Sequence, residues 1–142
     1  MVGIPGFSKR LFEALAAKKI NVILITQSSS EHSICVGVNT ASADGAKLAI
    51  DDEFAYEIET KKVDPIKVEK ELAIVALVGD NMKSHPGISG KMFGNLGRNG
   101  VNVRAIAQGS SERNISAVIS THDVKKPSTY CTKNFLKRYT KK

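Results

Sequence analysis

A displacement of 81 residues lays Pro5–Val38 over Pro86–Ile119 without a gap, and 13 of the 34 positions are then identical. They are spread along the segment: Pro5/Pro86, Gly6/Gly87, Ser8/Ser89, Phe12/Phe93, Leu15/Leu96, Asn21/Asn102, Gln27/Gln108 and Glu31/Glu112 are among them. Self-similarity of this density means two copies of one supersecondary unit. The 142 residues suffice to bury a real core, but each copy must be small. At 42% hydrophobic and 25% charged residues, the chain is ordinary globular material rather than a disordered, collagenous or disulfide-scaffold sequence.

Both copies read alike. Pro-Gly opens a loop, and Ser8 or Ser89 stands where an N-cap belongs. Leu11, Phe12 and Leu15, or Met92, Phe93 and Leu96, supply the apolar stripe of a short helix. Asn99-Gly100 is a C-terminal stop for the second of these helices. A β-branched run follows, Ile20–Thr26 or Val101–Ala107, then a polar bend, then a strand in which Ile34, Val36 and Val38 alternate with Cys35 and Gly37. The first copy continues into a helix with Ala43, Ala46, Ile50 and Phe54 on one face. After it, Tyr56, Ile58 and Thr60 alternate with charged residues as a strand would. The second copy gains a leading strand, Leu72–Val78.

Merged, the copies give β-α-β-β-α-β, an α+β, ferredoxin-like unit with two helices on one face of an antiparallel sheet. Each copy is expected to be incomplete, the first without its leading strand and the second without its last, so that the chain reads as a fragment of something longer. The expected organisation is a first unit over 1–66, a second over 67–124 and a basic, atypical tail over 125–142 without fixed structure.

The formal charge of +7 invites a nucleic-acid reading. Its distribution argues otherwise, because Lys125, Lys126, Lys133, Lys137, Arg138, Lys141 and Lys142 account for the whole excess. The rest of the chain carries 14 basic and 14 acidic side chains. A charged terminus is more often solvated than a binding arm. The tail also breaks the repeat, with Pro127 where a second amphipathic helix is due. The segment from Pro127 can be back-translated into codons that, read one base out of register, give A-I-N-V-L-H-E-K-F-L-E-E-I-H, which is amphipathic and resembles the missing helix. A frameshift is therefore the expected origin of the tail, testable in the encoding DNA.

Nothing catalytic stands out. Gly90-Lys91 is followed by Met92, and residue 85 is His, so the second copy's glycines do not form a phosphate loop. Gly90, Gly94 and Gly97 fall along one side of a helix and suggest a close helix or subunit contact. His32, His85 and His122 lack metal-ligand spacing and read as surface or loop residues; no metal or cofactor is implied. Cys35 reads as a small buried strand residue. Two cysteines and no signal-peptide or 18-residue apolar segment suggest a cytoplasmic protein in a reducing compartment. Gln27 and Gln108 are the odd residues, since an amide buried in an apolar strand needs partners.

The segments "NVILITQSSSEHSI" and "NVRAIAQGSSERNISAVI" resemble the regulatory region of aspartokinases, closest to the bifunctional aspartokinase–homoserine dehydrogenases. The repeated unit is similar to the ACT domain, which binds free amino acids, and the resemblance covers about Ile4 to Val124. Lysine-sensitive members usually carry Thr-Thr or Thr-Ser where this chain has Thr26-Gln27; the Gln form resembles the threonine-responsive branch. The resemblance implies feedback regulation of an attached kinase catalytic domain in aspartate-family biosynthesis, paired ACT units whose sheets join, and a homodimer. It implies an effector site from the loop before the first helix and the following strand: Ile4, Pro5, Gly6, Ser8, Asn21, Val22, Ile23 and Gln27. In the second copy the set is Gly87, Ile88, Ser89, Asn102, Val103 and Gln108. No nucleic-acid or membrane partner is expected. A free-standing ACT regulatory subunit of another amino-acid enzyme stays open, and a basic nucleic-acid-binding protein is the more distant alternative.

Overall fold

The computed structural model describes residues 5–27, 33–78, 86–108 and 114–124. It divides into two compact units, Met1–Lys70 and Glu71–Lys142.

In the first unit, α1 (Phe7–Ala17) leads to the hairpin of β1 (Val22–Gln27) and β2 (Ile34–Val38), then a 3-10 turn, α2 (Ala43–Glu53) and α3 (Ala55–Glu59). The two strands pair antiparallel, with a bulge between Val22 and Leu24. Leu11 and Leu15 of α1 recur at helical spacing and are buried together with Ala46, Ile50 and Phe54; Phe12, Ile34, Val36 and Val38 pack against them. The core thus lies between two helices and one face of the hairpin.

The strand expected over Tyr56–Thr60 is instead the helix α3. Tyr56, Ile58 and Thr60 do alternate, but Ala46, Ile50, Phe54 and Ile58 recur every fourth residue, and this longer helical period wins. Phe54 is 1% exposed and Ile58, one helical turn later, packs on the same core. The following segment is tied back onto α2: Val63 is buried, the Ile66 N–H donates to Asp51 Oδ1 at 3.1 Å, and Lys70 Nζ lies 2.9 Å from Asp44.

In the second unit, β3 (Leu72–Val78) precedes α4 (Ile88–Arg98), β4 (Val103–Gln108) and β5 (Asn114–Ser120). The sheet order is β3-β5-β4, antiparallel throughout, with β5 in the centre. The central strand buries Ile115, Ala117 and Ile119 on one face, as its period-2 pattern requires. Leu96 and Val101 complete that core, flanked by Met92, Phe93 and Val75. The α+β architecture with antiparallel sheets is as the sequence indicates, with two strands in the first unit and three in the second among the described residues.

Several local expectations change. Ser8 and Ser89 are not N-caps: Gly6 and Gly87 occupy that position in the left-handed region, with φ 74° and 85°, and the serines sit in the first turn. The chain must reverse sharply before each helix, and glycine adopts that backbone without a Cβ clash. At the other end Asn99 is the C-cap of α4 and Gly100 follows at φ 68°. Cys35 is exposed rather than buried, because β2 turns Ile34, Val36 and Val38 to the core and Cys35 away from it. Among the described residues, Gly90, Gly94 and Gly97 meet no close neighbour: a Cβ at 90 or 97 would enter open space, and one at 94 would approach only Arg98 Nη2 at 3.9 Å. The tail over 125–142 and the polar bends after β1 and β4 lie outside the described residues.

Candidate functional site

The two helices that open the copies have matching N-termini. The Arg10 N–H donates to Gly6 O at 3.0 Å, and the Lys91 N–H donates to Gly87 O at 2.9 Å. In neither helix does a side chain cap the first turn, and neither first turn contains an acidic residue. Among the described residues, no side chain accepts from the first amides of α1 or α4, which lie at the positive end of the helix dipole. Pro5 and Gly6 are exposed at this end; Ser8, Ile88 and Ser89 are half-buried. Ile4 lies outside the described residues.

The remaining candidates stand elsewhere in each unit. The Ile20 N–H donates to Leu15 O and the Val101 N–H to Leu96 O, both at 3.0 Å, so Asn21 and Asn102 sit at the C-terminal ends of their helices. An 11-residue helix is about 16 Å long. Gly6 and Asn21 thus lie at opposite ends of α1, about a helix length apart along its axis. Gln27 closes β1 at the end opposite Asn21.

Both glutamines are exposed. The expectation of buried amides fails because each ends a strand that lacks a second neighbour among the described residues. Next to them, Ile25 and Ile106 are each 48% exposed, and Ile23 is 50% exposed at the β1 bulge. The same bulge recurs in β4 between Val103 and Ala105. Bulges re-aim side chains, and here the repeat retains one next to the candidate strand residues.

A cluster that the sequence does not single out holds the first turn of α1. Phe7 stacks on Phe54 with ring centroids 4.2 Å apart, and the Arg10 guanidinium lies 4.5 Å from the Phe54 ring centre. Arg10 Nε donates to Glu53 Oε1 and Nη2 to the Glu53 carbonyl, both at 2.8 Å, while Nη1 pairs with Glu57 Oε1. The hydrogen bond from Arg10 holds the Glu57 carboxyl below its usual range, against the opposing effect of desolvation. Glu57 raises the Arg10 guanidinium further. These partners lie 43 and 47 residues apart, and only the chemistry of an Arg opposite a Glu-Phe-x-x-Glu stretch hints at them.

Among the described residues no group of three or more His, Cys, Asp or Glu side chains could hold a metal ion. No helix among them is long and apolar enough to cross a membrane. His122 is exposed, with Nε2 3.3 Å from Glu71 Oε2.

The model of the ACT domain family matches residues 1–54 and 75–135, one segment in each unit. The bifunctional aspartokinase/homoserine dehydrogenase of Haemophilus influenzae is 47% identical over 119 residues, 84% of this chain. The chain spans 15% of that relative's length. Among solved structures, the regulatory subunit of aspartate kinase from Thermus thermophilus matches with a TM-score of 0.73 at 26% identity, over 87% of this chain and 78% of that one. The aspartate kinase from Synechocystis matches with a TM-score of 0.75 at 29% identity, over 86% of this chain and 22% of that one. With a family segment in each unit and regulatory ACT regions of aspartate kinases as its relatives, the chain belongs to the ACT domain family.

Proposed function

We propose that the chain is the regulatory region of an aspartate kinase and binds free threonine as a feedback effector. The observation that carries this reading is the duplicated helix N-terminus: an uncapped, acid-free first turn behind a left-handed glycine, present in both units. Such a turn receives an α-carboxylate through backbone N–H groups. The Asn21 or Asn102 side-chain oxygen and strand carbonyls suit an α-ammonium, and the Gln27 or Gln108 amide both donates to and accepts from a hydroxyl. A site built to pair a hydroxyl discriminates against an isostere without one, because its own polar group is then left bare.

The proposed site is drawn from Ile4, Pro5, Gly6, Ser8, Asn21, Val22, Ile23 and Gln27, and from Gly87, Ile88, Ser89, Asn102, Val103 and Gln108. The separation of the glycine and asparagine ends means that each set works as two half-sites. The partners are the kinase catalytic domain and a second copy of this chain, met through exposed strand residues such as Ile25 and Ile106. Inhibition follows if threonine favours one arrangement of the assembly by about 1–3 kcal/mol of coupling. The Thermus thermophilus neighbour, described as a regulatory subunit, favours a second reading in which the region acts on its enzyme as a separate chain.

Thermal melting of the whole chain tests the reading. A ligand at about 100 times its Kd stabilises the folded state by about 2.7 kcal/mol. Threonine should raise the melting temperature in a saturable way, and 2-aminobutyrate at equal concentration should not. Equal shifts from the two would contradict hydroxyl recognition.

A further inference from the structure

We propose that Arg10 is a positioning residue for the effector site of the first unit, holding the first turn of α1 in its ligand-ready orientation; the inference rests on the effector reading above. Phe7 and Arg10 stand three residues apart, on one face of that turn, and both engage the ring of Phe54. Phe54 lies at the junction of α2 and α3, as C-cap of one and N-cap of the other. The Arg10 fork spans the same junction, reaching Glu53 on one side and Glu57 on the other. The Arg10 N–H meanwhile bonds Gly6 O, so the residue that grips the junction also closes the turn whose first amides form the proposed carboxylate site.

Pre-organising a binding loop raises affinity without adding a ligand contact. Arginine is suited to this because its planar guanidinium makes several directed bonds at once. Lysine offers a single mobile point charge. The repeat places Lys91 at the position equivalent to Arg10, so the two units do not share this clamp in the same form. Arg10→Lys makes the first unit match the second at that position while keeping the charge.

The test is a threonine titration of the whole isotopically labelled chain, read by the backbone amide signals of Gly6 and Gly87. Each glycine reports its own unit. In Arg10→Lys the Gly6 response should need about ten-fold more threonine, while the Gly87 response stays at its wild-type concentration. The unliganded signals of Ile34–Val38 should keep their positions, which a general loss of the unit's structure would not allow. Glu57→Gln removes the charge from one arm of the fork and should give a smaller shift of the same kind; it decides the matter if Arg10→Lys does not fold. A Gly6 response unchanged in a folded variant overturns the positioning role and leaves the effector reading standing. Should neither glycine respond to threonine in the wild type, the effector reading fails and this inference falls with it.

Discussion

Lys19 and Gly100 occupy equivalent places after α1 and α4, and both adopt the left-handed backbone, at φ 55° and 68°. Lysine pays a steric cost there that glycine does not, about 1–2 kcal/mol, partly offset by glycine's greater freedom when unfolded. Lys19→Gly should therefore stabilise the first unit by about 0.5–1 kcal/mol, read as a higher urea midpoint with an unchanged slope. The opposite change is expected at the other end of the helix. A Cβ at Gly6 meets open space, so Gly6→Ala is opposed by backbone conformation alone, at about 1 kcal/mol. The same substitution should weaken threonine binding, because the turn that aims the first amides relaxes. A Gly6→Ala chain as stable as the wild type would show that this backbone is not enforced.

At the scale of elements, the α2–α3 junction decides the first unit. Phe54 is its largest fully buried side chain, and Phe54→Ala should cost about 3–5 kcal/mol, most of what a small unit has. Far-ultraviolet circular dichroism should show helix lost while β3–β5 persist. Acid should act on the same junction. Glu57 is held below its ordinary value of 4.5 chiefly by the hydrogen bond from Arg10. For Asp51, desolvation pushes upward, but the bonds from Lys47 and the Ile66 N–H outweigh it and leave the carboxyl below 3.8. A carboxylate depressed by folding contributes its stability above the unfolded value and loses it as pH falls through the folded one. Glu57→Gln should thus lower the urea midpoint at about pH 7, and the gap to wild type should close as pH falls below the ordinary value of 4.5. A gap that is constant with pH would mean the pair contributes packing rather than charge.

These elements also show what the sequence could disclose. The repeat was legible as identity over 34 aligned positions, and the helix stripes at Leu11–Leu15 and Met92–Leu96, with β2, β3 and β5, were legible because each depends on a period of a few residues. Tyr56–Thr60 was misread because a short alternation was weighed without Phe54 four residues before Ile58. Serine is the usual N-cap, and only the backbone reveals that Gly6 and Gly87 turn left-handed first and take that place. The Arg10 clamp was not legible at all, since its partners meet only after α2 has folded back on α1. For the candidate site, the residue types were readable, whereas the helix length that separates Gly6 from Asn21 was not.

At the scale of the whole molecule, two units repeat one helix-entry turn and one bulged, glutamine-ended strand. On the proposed reading, that repetition gives each unit its own contacts for a free amino acid. The exposed Ile25 and Ile106 belong to the same account: if they face a second copy, Ile25→Lys should lower the association state seen by sedimentation at moderate protein concentration, without lowering the melting temperature of the monomer. The most direct measurement is calorimetric titration of the intact chain with threonine, alongside 2-aminobutyrate and the variants Gln27→Ala and Gln108→Ala. Threonine should give saturable heat, binding should be about ten-fold or more weaker without the hydroxyl, and a site should be lost with each glutamine that serves one. No heat from threonine, or equal affinity for both ligands, would contradict it.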